Sequence, residues 1–219
     1  EAIRRYKNHE SSFDIGKVFN VSNVAILGLL KRRGIDIRDY SHSRQIYKIN
    51  ENYFEDINNE DKAYWLGFFY ADGYLSPKNE FSLLLSIKDK AHLEKLKRCL
   101  DSEHPIKEIN YSYDTHKCYL RFKNKKIAED LRKIINKGYL PNISLELLPH
   151  FIRGLFDGDG SVGNYTNPSF CLLAETYILQ EIRKFIGLSN TKLRKRHPER
   201  DGDIWAMEYC GKNNLKIVF

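Results

Sequence analysis

Two stretches of this chain end alike. Residues 63–75, AYWLGFFYADGYL, and residues 151–162, FIRGLFDGDGSV, each run an apolar segment into a small residue, an aspartate and a glycine. A single apolar helix ending in Asp-Gly is an ordinary turn, but two in one chain need a shared explanation. Gly67 and Ala71 are four residues apart, and so are Gly154 and Gly158. Residues i and i+4 share a helix face, so each helix offers a flat strip on which another backbone can approach. The simplest arrangement packs the two helices on each other through Gly67, Ala71, Gly154 and Gly158. Gly73 and Gly160 then fit as left-handed C-terminal caps.

Such packing brings Asp72 and Asp159 to the same end of the helix pair. Each carboxylate there opposes the helix dipole by about 0.3–1 kcal/mol, and the two repel each other. A divalent cation is the natural counterweight, since hard oxygen ligands suit Mg²⁺, which also accepts phosphate oxygens and water.

Bulk charge agrees with a phosphate partner. Lys and Arg total 36 against 29 Asp and Glu, a formal net charge of +7, which favours nucleic acid ahead of an anionic membrane. Cys99, Cys118, Cys171 and Cys210 form no CxxC pair and have no His at zinc-ligand spacing, the pattern of a reducing compartment and no structural metal. The expected setting is intracellular: a bacterial cytoplasm, a phage-infected cell or an organelle matrix. No apolar run approaches the roughly 18 residues of a membrane span, and the first ten residues lack a signal-peptide pattern.

From residue 61 the chain repeats its own grammar. After the first motif come the apolar FSLLLSI, the amphipathic DKAHLEKLKRCL, the alternating IKEINYSY and KCYLRFK, and the helical KKIAEDLRKIIN. After the second come PSFCLLA, TYILQEIRKFIGL, TKLRKRH, DIWAMEYC and the start of another helix. The expected fold class is α+β, with two αββαββα repeats at 61–148 and 149–219, the second ending where its last helix should lengthen. Residues 41–60 are polar and aperiodic and read as a linker.

Residues 1–40 read as a separate helical unit. Phe13, Ile15, Val18 and Phe19 mark one short helix, and Val24, Leu27, Leu29 and Leu30 another, with NVSN between them and Ser22 or Asn23 as N-cap. The spacing suits a helix-turn-helix whose second helix enters a major groove, presenting Ser22, Asn23, Lys31, Arg32 and Arg33 to DNA. The competing reading is a helical cap on the main domain with a solvated basic edge.

WLGFFYADG (65–73) and IRGLFDGDG (152–160) resemble the nine-residue motif of the LAGLIDADG homing endonucleases. The resemblance covers residues 60–219, and the spacing of the acids, 159 − 72 = 87 residues, resembles the monomeric two-motif members that act as pseudo-dimers. It implies a pseudo-twofold saddle whose antiparallel sheets lie in the major groove of a long asymmetric duplex. Asp72 and Asp159 match the catalytic acids, which hold divalent metal beside the small residues Ala71 and Gly158 and direct water at one phosphodiester per strand, leaving short 3′ overhangs. The implied cofactor is Mg²⁺, with Mn²⁺ substituting and Ca²⁺ supporting binding without cleavage. Members are encoded in introns, inteins or free-standing mobile genes.

The family pattern also carries a basic residue late in each half. Lys123 fits in the first, with Arg121 next on the same strand face. Cys210 stands at the corresponding point of the second, where Lys212 is a substitute. Strand alternation directs Cys118, Leu120 and Phe122 to the helices and Tyr119, Arg121 and Lys123 to DNA. Lys192, Arg194, Lys195, Arg196 and Arg200 crowd one segment densely enough for phosphate contacts; the competing reading is a solvated hairpin tip. Three functions stay open: a site-specific endonuclease, a DNA-binding regulator that does not cut, and an RNA-binding maturase acting on its own intron.

Overall fold

The computed structural model describes residues 1–8, 10–37, 47–110, 115–135, 139–163, 168–188, 192–196 and 203–210. They fall into two units, one of Glu1–Ile49 with Asp101–His104 and one of Asn50–Leu100 with the chain from Pro105 onward.

Helices α1 (Ala2–Lys7), α2 (Ser12–Phe19) and α3 (Asn23–Arg32) build the first unit. Ser11 and Ser22 start α2 and α3 by accepting the amides of Asp14 and Ala25 at 3.1 and 3.2 Å, satisfying donors that a helix start leaves unpaired. The chain reverses at Asn20, a left-handed residue at φ 53°, and α3 leaves α2 at 104°, inside the roughly 90–120° range of a helix-turn-helix. A β-carbon on Gly16 would lie 2.6 Å from the Val21 carbonyl oxygen, so the turn closes only on glycine. Tyr6, Ile15, Ile26 and Leu30 form the core. That corrects the expected apolar face: Phe13, Val18, Phe19 and Val24 are 42–70% exposed. Helix α1, which the sequence reading did not include, supplies Tyr6, and Ile15 is the side chain that α2 turns inward. Among the described residues no single helix is long and apolar enough to cross a membrane.

The second unit is organised by α4 (Glu60–Asp72) and α7 (Leu148–Asp159). Asn59 caps α4 by accepting the Lys62 amide at 3.0 Å, and Glu60 and Asp61 in its first turn suit the positive end of the dipole. Pro149 sits in the first turn of α7, where a missing N–H removes no helical bond. Residues 63–69 of α4 are all buried, as expected of a helix enclosed on every side.

Each motif helix runs directly into a four-stranded antiparallel sheet. The first contains β1 (Gly73–Leu75), β2 (Glu80–Ser86), β3 (Lys107–Asn110) and β4 (His116–Lys123), in the order β1-β2-β4-β3. The second contains β5 (Gly160–Gly163), β6 (Ser169–Glu175), β7 (Leu193–Lys195) and β8 (Ile204–Cys210), in the order β5-β6-β8-β7. Helices α5 (Lys90–Cys99) and α6 (Lys125–Ile134) follow β2 and β4, and α8 (Thr176–Phe185) follows β6. The α+β class and the repeated element order are as expected; the closing helix of the second repeat lies outside the described residues.

The repeats also match side chain for side chain. Phe69 stacks on Phe81 and Phe81 on Phe122, both at 4.7 Å; Phe156 stacks on Phe170 at 4.6 Å, with Tyr209 beyond it. These stacks explain Gly73 and Gly160 better than left-handed caps do. Both are extended, at φ −78° and −97°, and a β-carbon on either would run into the ring of Phe69 or Phe156. The expected linker needs a second correction. Tyr53 and Phe54 are buried, and the Asn50 amide donates to the Leu100 carbonyl at 2.8 Å, so residues 50–60 pack into the second unit.

Candidate metal and nucleic-acid site

The small-residue strips hold α4 and α7 backbone to backbone. A β-carbon on Gly67 would strike the Phe151 carbonyl oxygen, and one on Gly154 the carbonyl oxygen of Tyr64. The contact is therefore reciprocal. One turn further, a β-carbon on Gly158 would meet Ala71 and come within 3.3 Å of the Asp72 Oδ2 atom. The four expected interface residues thus all lie in the helix pair, and Asp72 and Asp159 end its two members.

Electrostatics there is unbalanced. Burial pushes the Asp72 carboxyl up to about 6, Asp159 and Asp89 add to the rise, and Lys117 opposes it. Asp159 is also raised, first by burial and then by Glu175. Repulsion between two carboxylates is mutual, so the raised affinity for a proton belongs to the pair. An open pocket of about 560 Å³ takes in Asp72, Leu84, Ser86, Asp89, Lys117 and Gly158.

A polar cluster secures the helix pair beside this pocket. The Tyr64 hydroxyl donates to Asp157 Oδ2 at 2.8 Å and lies 2.9 Å from His92 Nε2, while the Arg153 guanidinium covers the Tyr64 ring at 4.9 Å. Burial, then Lys95, holds the His92 pKa below its ordinary value, which leaves the ring neutral at pH 7 and able to donate through Nε2. Asp157 is thereby bonded to α4 through Tyr64, whose hydroxyl also meets His92 of α5. Its counterpart in the first motif, Tyr70, packs edge-on against Phe151 at 5.5 Å.

The lysine that shares the pocket is Lys117. Lys123 stands at the other end of β4, across from Glu80, whereas Lys117 pairs with Ser86. The alternation that exposes Tyr119, Arg121 and Lys123 holds, with Arg121 over the Tyr119 ring at 4.9 Å and 3.8 Å from Glu80. One further step back along the same alternation reaches Lys117, and one step past Ala174 reaches Glu175; the sequence reading stopped short of both. On β7, Arg194 shares the sheet face turned away from the helices, but Lys195 pairs with Trp205 on the helix side. That places Lys195 apart from the expected phosphate cluster. Lys192 and Arg196 flank β7 and are exposed, as are Ser22, Asn23, Lys31, Arg32 and Arg33 on α3 and its ends. Arg200 and Lys212 lie outside the described residues.

These donors fit a hard divalent cation. Two desolvated carboxylates with a lysine as the near cation leave excess negative charge, and the pocket beside them is open. No group of three His, Cys, Asp or Glu side chains suited to a metal occurs among the described residues. A closed zinc-type site is therefore not formed there. The remaining ligands of a Mg²⁺-like ion would be water, substrate oxygens and main-chain carbonyls.

No protein-family model matches the chain, and no curated protein does. Similar solved structures include the meganuclease I-SmaMI bound to uncleavable DNA (14% identity, 70% of this chain and 80% of that one, TM-score 0.48). The I-LtrWI LAGLIDADG homing endonuclease bound to target DNA is similar at 14% identity over 76% of this chain and 81% of that one, TM-score 0.45. The N-terminal LAGLIDADG domain of DUF199/WhiA is similar at 17% identity over 84% and 89% of the two chains, TM-score 0.49.

Proposed function

We propose that the chain is a site-specific double-strand DNA endonuclease of the LAGLIDADG type, acting as a monomeric pseudo-dimer with Mg²⁺. The observation that carries this reading is the pair Asp72 and Asp159, retained at the ends of two glycine-locked helices despite an unfavourable dipole, burial and mutual repulsion. A fold alone would not keep both acids there; a metal-dependent reaction would.

Asp72 and Asp159 would hold the metal, with the carbonyls of Ala71 and Gly158 beside them. The bound ion supplies Lewis acidity at the phosphate and lowers the pKa of water. Gly67 and Gly154 fix the spacing of the acids, and the tight approach at Gly158 keeps Asp72 pointed at the junction. Lys117 contributes positive charge next to a phosphoryl group that gains negative charge as water attacks phosphorus and the 3′ oxygen departs. The sheet faces turned away from the helices, with Tyr119 and Arg121 in the first repeat and Arg194 in the second, would read the duplex, and α3 would lengthen the target through Ser22, Asn23 and the basic run Lys31, Arg32 and Arg33.

The test is cleavage of the joined flanks of the gene's own insertion point by wild type and Asp72→Asn, in Mg²⁺, Mn²⁺ and Ca²⁺. Defined double-strand breaks with short 3′ overhangs, made by wild type in Mg²⁺ or Mn²⁺ and by neither protein in Ca²⁺, are expected. Tight binding of duplex DNA without cutting would move the conclusion to a DNA-binding regulator, and preference for the host intron's RNA to a maturase.

A further inference from the structure

A second open pocket lies on the flank of the helix pair. It measures about 550 Å³ and is lined from α4, α5 and α7 by Asp61, Trp65, Lys95, Arg98, Arg153 and Asp157, with the Tyr64–His92 contact at its back. Every residue lining it belongs to a helix, whereas the pocket at Asp72 takes in strand residues of β2 and β4. Asp61 precedes Asp72 by 72 − 61 = 11 residues, about 16 Å along the helix axis.

Three cations converge on this flank from both repeats, Lys95 and Arg98 on α5 and Arg153 on α7. All are exposed, and among the described residues none has an ion-pair partner. Comparable lysines are paired, Lys90 with Glu108 and Lys126 with Asp130, both at 2.7 Å. The two carboxylates in the pocket are otherwise engaged: Asp157 accepts the Tyr64 hydroxyl at 2.8 Å, and Asp61 sits in the first turn of α4, at the positive end of its dipole. Of the acids nearby, Glu60 meets His150 at 3.7 Å, Asp89 acts on His92, and Glu94 acts on Lys90. With His92 neutral, the lining keeps a positive excess. Helix packing does not call for it. The residue before the interface glycine is Leu66 in the first motif, at 0% exposure, and Arg153 in the second.

We propose that this pocket binds a phosphate monoester, of the kind carried by a mononucleotide or by the 5′ end of a nucleic acid, at a site separate from the paired acids. A monoester carries nearly two negative charges at pH 7 and three free oxygens, which match two arginines and a lysine better than a singly charged diester does. Each guanidinium presents a planar fork that meets phosphate oxygens in pairs. The volume falls within the range of small-ligand sites and leaves room for a nucleoside beside the phosphate. A group held there bridges α5 of the first repeat to α7 of the second, reinforcing the Tyr64–Asp157 tie. The site stands whether or not the chain cuts DNA.

The test is calorimetric titration of the metal-free full chain with AMP, adenosine, inorganic phosphate, and a short single-stranded oligonucleotide bearing a 5′ phosphate or a 5′ hydroxyl. AMP and inorganic phosphate are expected to bind at millimolar concentration or below, and adenosine is not. Lys95→Gln, Arg98→Gln and Arg153→Gln, all exposed positions, should each weaken AMP by about tenfold with the melting temperature of the free protein unchanged. Lys117→Met, at the other pocket, should leave AMP binding as it is. A preference for the 5′-phosphorylated strand that Arg153→Gln abolishes would identify the source as a nucleic-acid end; equal binding of the two strands would identify it as a free nucleotide. No binding of AMP, binding indifferent to Arg98→Gln and Arg153→Gln, or an equal loss with Lys117→Met would overturn the proposal.

Discussion

Gly154 faces the carbonyl oxygen of Tyr64 so closely that a β-carbon at position 154 would lie inside it, and Gly67 stands in the same relation to Phe151. The obstacle in each case is main chain, which cannot rotate away as a side chain can. Gly154→Ala and Gly67→Ala should therefore force α4 and α7 apart, at or above the upper end of the roughly 1–3 kcal/mol that overpacking usually costs. Urea unfolding of the full chain measures this. A midpoint unchanged by Gly154→Ala would mean that the helices are not in backbone contact.

Gly28 is the opposite case. It lies in the middle of α3, and a β-carbon there meets nothing within 4 Å. Glycine inside a helix costs about 0.8–1 kcal/mol relative to alanine, so Gly28→Ala should stabilise α3 and slow exchange of its amide hydrogens by about two- to fivefold. Faster exchange would show that the substitution meets an obstacle. The same variant also reports on DNA: if α3 enters a groove at this face, the added methyl weakens binding even as the helix is strengthened.

Local rules made much of this molecule legible. Residues i and i+4 placed Gly67, Ala71, Gly154 and Gly158 on one interface, period-two alternation sorted Cys118, Leu120 and Phe122 from Tyr119 and Arg121, and a serine before an apolar run marked the start of α3. Readings failed where long-range packing decided the outcome. Gly73 looks like a helix stop because glycine tolerates left-handed geometry, yet the Phe69 ring, stacked on Phe81 of β2, is what excludes a side chain there. Tyr53 and Phe54 were hidden by the polar composition around them. The choice of Lys117 over Lys123 depends on which end of β4 lies beside Asp72, and only the pairing register with β2 states that.

Tyr64 offers a test of the polar cluster that secures α4 to α5 and α7. Removing its hydroxyl leaves Asp157 without that donor and His92 without its oxygen partner. Tyr64→Phe is expected to lower stability by about 1–3 kcal/mol, the cost of leaving partly buried polar groups unpaired. The double variant Tyr64→Phe/Asp157→Asn should cost less than the sum of the two single changes, because the pair is lost only once. Additive losses in a thermal-denaturation cycle would mean that the bond at 2.8 Å contributes nothing.

The Asp72 carboxyl gives the molecule a pH signature whose sign can be worked out. Its folded-state pKa of about 6 lies above the unfolded value of about 3.9, so the native state holds the proton more tightly. The associated stability is fully present below pH about 3.9 and is lost as pH rises through about 6. Because Asp72 is only about half buried, solvent screening reduces the effect to the order of 1 kcal/mol, or about 2–4 °C in melting temperature for a chain of this size. Metal-free Asp72→Asn should therefore melt with wild type at pH 4 and above it at pH 7. Millimolar Ca²⁺, which binds the ionised acid, should raise the wild-type melting temperature at pH 7, raise it much less at pH 5, and leave Asp72→Asn nearly unmoved. Wild type and Asp72→Asn melting together at pH 7 without metal, or responding equally to Ca²⁺, would remove Asp72 from the strained pair on which the proposed metal site depends.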